Sequence, residues 1–341
     1  MKDHPTIKEV IVHTGQHFSE NMSSVFFQDM GIPEPDYHLN INQLSHGAMT
    51  GRMLEQIENV LLKEKPAMVI VYGDTNSTLA GALAAKKLDI KIAHVEAGLR
   101  SFNMKMPEEV NRILTDRISG LLFCPTEAAV QNLKSEGYDN FPCRIEKTGD
   151  VMYDNALFYG SFSGKKSTII DKLNLKKDDF VLCTIHRQEN TDDIDRLGNI
   201  IRALNEINSE KRIILPLHPR TKGVIEKYNL KLGFEPIEPV GYFDIIELLK
   251  NCSMVMTDSG GMQKEAYFFS KFCITIREQT EWIELVEAGV NIIAGYNASD
   301  ILKAFQKGMI IPVIPDMKIY GNGNSAELIC DIIEETLDHQ T

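Results

Sequence analysis

The stretch MVIVYGDTNST, residues 68–78, decides the fold: an apolar, β-branched run ends at Gly73 and gives way to Asp74 and a group of hydroxyl and amide side chains. An unbroken apolar run of this length predicts a strand buried on both faces, as in a parallel sheet. The next residues, LAGALAAKKL, carry helical spacing, so the segment reads strand, turn, helix. The same rhythm recurs on either side. VIVH near residue 10, IKIAHVE near 93, GLLFCPT near 122 and RIEKTGD near 147 are further strands, with helical patterns such as MLEQIENVLLKE between them. It then repeats in DDFVLCTIHR, KRIILPLHP, CSMVMTDSGG and KFCITIRE. Alternating strand and helix predicts α/β architecture with two Rossmann-like, doubly wound domains.

A chain of 341 residues suits two cores better than one. Glycine, serine and lysine thicken in GSFSGKKSTIIDKLNLKKDD, which puts the expected boundary near 165, with domains of 1–165 and 166–341. The amphipathic run NSAELICDIIEETLDH is a final helix that either ends the second domain or packs back on the first. A doubly wound domain commonly opens on a central strand and a glycine-rich turn, whereas the first strand here comes only at Val10. An early strand is therefore expected to be missing.

Composition narrows the function. The hydrophobic fraction of 43% and charged fraction of 25% are those of a globular protein, and no apolar run has the length of a membrane span. MKDHPTIKEV shows no signal-peptide pattern, so a cytoplasmic setting is expected. A net charge of -12 without a basic stripe argues against nucleic acid as a partner. Six scattered cysteines lack metal spacing and read as reduced thiols, and neither a metal nor a cofactor is implied.

In open α/β sheets ligands bind beyond the carboxyl ends of the strands. Asp74 follows VIVY, Glu96 follows IAHV, and MPEEVNR brings Glu108, Glu109, Asn111 and Arg112. Three carboxylates in one crevice would raise one another's pKa and suit proton transfer near neutral pH. The plainer alternatives are that Asp74 caps the next helix and that Glu108 and Glu109 decorate the first turn of another; for Glu109 the plain reading is preferred. In the second half His186 and Arg187 follow VLCTI, His218 and Arg220 follow ILPL, and TDSGG leads into a helix carrying Glu265. Ser259, Gly260 and Gly261 form either a diphosphate seat or an ordinary loop-to-helix turn. Glu265 is placed to hold a ribose or simply to face solvent. His13 and His17 read as structural, and Met104 and Met106 as packing residues.

Taken together, YGDTNST, HVEAGLRS, MPEEVNR, TIHRQEN, LHPR, TDSGGMQKEA, REQTEW and YGNGNSAE resemble, in order, the non-hydrolysing UDP-N-acetylglucosamine 2-epimerases. The resemblance implies a GT-B fold, a UDP-sugar substrate, a homodimer and a role in cell-surface polysaccharide synthesis. It implies anti elimination of UDP with loss of the proton beside the acetamido group, then re-addition on the other face. By motif position Asp74, Glu96 and Glu108 are the acids and bases, with His186 beside the diphosphate. Arg112, Ser259, Gly260, Gly261 and Glu265 bind substrate, as does Arg187 next to His186. Gln16 and Arg52 match a regulatory UDP-sugar site, though Ser19 stands where a second glutamine is usual.

Two further features bear on substrate and activity. The family's opening Gly-Ala-Arg-Pro-type loop, which supplies an arginine and a lysine, has no match here, so an inactive UDP-binding module is one alternative. SFNMKMPEE, TEW and GDVMYD look more like members acting on UDP-2,3-diacetamido-2,3-dideoxyglucuronate, with Lys105 as a cation for the sugar's carboxylate.

Overall fold

The computed structural model describes residues 4–16, 30–313 and 319–338. It divides into two compact units, one of Met1–Asp154 with Met317–Thr341 and the other of Asn155–Asp316. The division differs from the expected boundary near 165 and falls inside the helix Val151–Gly160. The reason is local packing. The supposed linker folds into short helices, Ser163–Lys166 and Ile169–Lys172, that belong to the second unit. There Ser163 Oγ donates to Glu247 and Ile169 joins a core with Phe180 and Leu248. The last helix, Ser325–Asp338, belongs to the first unit instead of the second. It buries Ile329 and Ile333 against Ala93, Val95, Leu121 and Phe123.

In the first unit β1 (Val12–His13) pairs in parallel with β2 (Tyr37–His38) as a two-stranded sheet. β3 (Met68–Tyr72), β4 (Lys91–Val95), β5 (Leu121–Cys124) and β6 (Arg144–Lys147) form a separate parallel sheet in that order. Helix His46–Glu64 lays Met53, Ile57 and Leu61 on helix Asn76–Lys87, whose face of Ala80, Ala84 and Ala85 allows close approach. Each large aliphatic side chain buried in this way contributes about 1.5–3 kcal/mol.

The second unit has five parallel strands: β7 (Phe180–Thr184), β8 (Arg212–Ile214), β9 (Met254–Thr257), β10 (Phe272–Thr275) and β11 (Asn291–Ile293). Their order is β11-β10-β9-β7-β8, so the chain winds one way from β7 to β8 and the other way through β9. Along β7 the side chains alternate between two cores. Val181 and Cys183 pack with Leu197, Ile200 and Leu204, whereas Phe180 and Leu182 pack with Leu248 and Leu249. Helices therefore cover both faces, and the winding reverses between β7 and β9, where a ligand crevice is expected.

Candidate active site

The first unit carries one group of reactive side chains. After β3 the helix Asn76–Lys87 is capped by Thr75, whose hydroxyl accepts from Thr78 N in a reciprocal box. Asp74 is therefore not the cap, and its carboxylate is turned elsewhere. It meets Arg112 Nη2, while Asn111 Nδ2 donates to the Asp74 carbonyl at 2.9 Å. Glu96 closes β4 with φ +74, a left-handed conformation uncommon for a glutamate. Its N–H and that of Ala97 both donate to Phe123 O, at 3.1 and 3.0 Å. A Cβ built on Gly73 would lie 3.4 Å from Glu96 Oε2, so the two carboxylate loops are in contact.

Burial raises the Asp74 carboxyl above the usual range. The Arg112 cation opposes this, while the negative charges of Glu96 and Glu108 add to it. Glu108 is exposed in the first turn of helix Pro107–Ile118. Glu109, preferred above as surface decoration, is fully buried. It accepts from Ser101 N at 3.0 Å, from Phe102 N at 2.9 Å and from Arg112 Nη1. One carboxylate thus anchors the 101–102 loop and aims Arg112 at Asp74. The signal for this was the three-residue spacing of Glu109 and Arg112, which puts both on one helix face. Met104 departs from its expected packing role: it is exposed at the loop tip, as is Lys105.

The second unit carries the other group, at the reversal between β7 and β9. Asp258 is fully buried and gathers the loop after β7: His186 N and Arg187 N donate to its carboxylate at 3.0–3.1 Å, and Asn190 Nδ2 at 3.2 Å. His186 keeps its ring partly open, with Nδ1 3.5 Å from Asp258 Oδ1. Its pKa is lowered, first by burial and then by Arg187 and His218, against the pull of Asp258. Ser259 caps helix Gly260–Phe268 through Met262 N. A Cβ on Gly260 would stand 3.4 Å from Trp282 Nε1, 3.7 Å from Glu281 Oε2 and 3.9 Å from Arg187 Nη2, so only a bare backbone leaves that surface open.

Glu265 lies on this same helix, 9% exposed and hydrogen-bonded to Tyr242. Burial pushes its carboxyl up to about 7. Arg220 is turned to Asp192. The pair Arg277 and Glu281, at 3.1 Å, and the face of Trp282 under Lys264 Nζ at 4.1 Å brace the β10 side. Among these residues Tyr242 carried no sequence signal, since a tyrosine opening an amphipathic helix reads as packing. Of the candidate regulatory residues, Gln16 Oε1 accepts from both N and Oγ of Ser77 at 3.0 Å, and Arg52 is exposed on helix His46–Glu64. His17 and Ser19 lie outside the described residues.

Carboxylates clustered with an arginine at the strand ends of one Rossmann-like unit, and a cationic, glycine-lined helix start in the other, define an enzyme of the nucleotide-sugar kind. The model of the UDP-N-acetylglucosamine 2-epimerase family matches residues 1–334. A UDP-2,3-diacetamido-2,3-dideoxy-D-glucuronate 2-epimerase from Pseudomonas aeruginosa is 53% identical over 329 residues, 96% of this chain and 92% of that protein. A UDP-N-acetylglucosamine 2-epimerase from Methanocaldococcus jannaschii is 46% identical over 333 residues, 95% of this chain and 90% of its own. The crystal structure of the Methanocaldococcus jannaschii UDP-GlcNAc 2-epimerase in complex with UDP-GlcNAc and UDP is similar with a TM-score of 0.88 at 44% identity, covering 98% of this chain and 93% of that one. The chain belongs to the UDP-N-acetylglucosamine 2-epimerase family and is an isomerase of two Rossmann-like units of GT-B type. Among the described residues no helix is long and apolar enough to cross a membrane.

Proposed function

We propose that this protein interconverts UDP-GlcNAc and UDP-ManNAc. One carboxylate of the Asp74, Glu96 and Glu108 set takes the proton from the sugar's C2. The C1–O bond to UDP breaks on the opposite side, leaving a 1,2-unsaturated sugar and UDP. A second carboxylate returns a proton to the other face of C2 as a UDP oxygen re-forms the bond to C1. Atoms and electrons balance within the site, so neither an oxidant nor a reductant is required.

The observation that carries this reading is the half-buried Asp74 carboxyl, raised above the usual range beside Glu96. Such a group holds or yields a proton nearer neutral pH than an exposed aspartate does. Arg112 tunes it. Arg187 and the N–H groups of Gly260 and Gly261 seat the diphosphate, His186 offsets the charge that grows on departing UDP, and Glu265 takes the ribose hydroxyls. The enzyme works as a cytoplasmic homodimer that supplies cell-surface polysaccharide synthesis. Gln16 and Arg52 belong to a regulatory UDP-sugar site.

A second reading rests on the 53% identity to the Pseudomonas aeruginosa enzyme and on Lys105. Here the substrate is UDP-2,3-diacetamido-2,3-dideoxyglucuronate, and Lys105 meets its extra carboxylate. Supplying each UDP-sugar separately and identifying the product by NMR decides between them. If both sugars were recovered unchanged, the proposal would fall.

A further inference from the structure

Behind the two carboxylate loops lies a polar network whose centre, His94 and Asp116, is fully buried. Helix Pro107–Ile118 turns Glu109, Arg112 and Asp116 inward at three- and four-residue spacing, and Asp116 at its inner end is fully buried. Its Oδ1 lies 2.7 Å from His94 Nδ1; its Oδ2 accepts from Gly98 N at 3.1 Å and from Arg100 Nη1 at 2.7 Å. Arg100 in turn makes a forked pair with Glu136 at 2.7 and 2.8 Å. The second nitrogen of His94, Nε2, is 2.8 Å from the carbonyl oxygen of Gly73. Both ring nitrogens of His94 face oxygen atoms, one of Asp116 and one of the Gly73 backbone. Burial alone would raise the Asp116 carboxyl, but the hydrogen bonds and charges of His94 and Arg100 outweigh it and hold it below the usual range. Arg100 links the buried Asp116 carboxylate to Glu136 at the surface, so the Asp116 charge is paired inside the unit.

What this network grips is informative. Gly73 directly precedes Asp74. Gly98 lies two residues beyond Glu96, in the turn that holds Glu96 at φ +74. Gly98 itself has φ +79, and a Cβ there would stand 2.5 Å from Ala129 O, so the turn packs closely against the Ala129 backbone and accepts only glycine.

We propose that His94 and Asp116 are positioning residues: through the Gly73 carbonyl and the Gly98 N–H they lock the Asp74 and Glu96 loops in register and set the spacing of the two carboxylates. The proposal rests on the reading of Asp74 and Glu96 as the proton-transfer pair. Neither residue contacts substrate, so each acts through loop geometry, and errors of about 1 Å in such geometry cost roughly 100-fold in rate.

The test compares the full-length wild-type protein with His94→Phe, His94→Gln and Asp116→Asn. It measures kcat and KM for the UDP-sugar turned over, the Kd of UDP, and Tm. In Asp116→Asn the new amide can donate to Nδ1 of a neutral ring that still donates to Gly73, so that variant keeps the link. The expected result is a kcat lowered roughly tenfold to hundredfold in His94→Phe, with UDP affinity within about twofold of wild type, and an Asp116→Asn kcat within about threefold. If His94→Phe does not fold, His94→Gln, which retains an amide donor but loses Asp116, carries the same expectation. A folded His94 variant with wild-type kcat overturns the inference and leaves the epimerase reading standing, as does parallel loss of kcat and UDP affinity. A wild-type protein that turns over neither sugar overturns both.

Discussion

Arg112 donates to the carboxylate of Asp74 from a guanidinium that is itself held by buried Glu109. An aspartate whose pKa burial raises is thus kept within reach of a fixed cation, which limits how far it rises. The proton affinity of Asp74 is thus a balance of burial and the Glu96 and Glu108 charges against the Arg112 cation.

Replacing Arg112 with lysine removes the fork, because one ammonium cannot hold Glu109 and Asp74 in the same geometry. Loss of one charge-assisted hydrogen bond is worth about 1.5–3 kcal/mol, so kcat should fall tenfold or more. Steady-state kinetics with calorimetric UDP titration check this. UDP affinity should stay close to wild type if the diphosphate is held as proposed, by Arg187, Gly260 and Gly261 of the other unit.

The carboxylates themselves give a sharper contrast. Asp74→Asn and Glu96→Gln keep size and remove proton transfer, so each should lower kcat by about 10²–10⁴-fold. UDP should still bind both variants. A variant that lost UDP affinity as well would show that its carboxylate serves the nucleotide.

Glu265 predicts a pH dependence of nucleoside binding. Its carboxyl, pushed up to about 7 in the folded protein, is raised above the unfolded value near 4.5. By linkage the free protein favours the protonated form, and that contribution to stability is fully present below the unfolded pKa and lost as pH rises through about 7. Ribose hydroxyls donate to the ionised form, so uridine, which carries no phosphate to titrate, should bind more tightly as pH rises through about 7. Titrating uridine at several pH values into wild type and Glu265→Gln tests this; the variant should show a flat profile.

Gly98→Ala should be destabilising, by at least ~1 kcal/mol, since it forces a side chain into a left-handed turn and against the Ala129 carbonyl. Thermal unfolding reads this directly. An unchanged Tm would mean that the turn shifts freely, and that the loops are held less tightly than their hydrogen bonds indicate.

The legible parts of this protein were those written as runs. β3, β7 and β9 stand out as apolar stretches and β4 as a run interrupted by His94, and the residues after them, Asp74, Glu96, His186 and the Asp258 to Gly261 turn, were readable as strand-end groups because ligands of parallel sheets bind beyond the carboxyl ends of the strands. β2 and β11 span only Tyr37–His38 and Asn291–Ile293, too short for periodicity to register. The helix Ser325–Asp338 was readable as an amphipathic helix, but a hydrophobic stripe does not name the surface that covers it.

Glu108 and Glu109 look alike in sequence. Only the helix phase, which aligns Glu109 with Arg112 and Asp116, separates an exposed carboxylate from a buried brace. A polar stripe at helical spacing reads from sequence as a solvated face, and here it is the inward one.

Proton exchange at C2 is the most direct signature of the proposed reaction. Wild-type protein incubated in D2O with each UDP-sugar and followed by proton NMR should lose the C2 signal of one of them as the 2-epimer appears, with Asp74→Asn and Glu96→Gln slowed by about 10²–10⁴-fold. Appearance of the 2-epimer with its original hydrogen kept at C2, or exchange that persists at the wild-type rate in both variants, would contradict it.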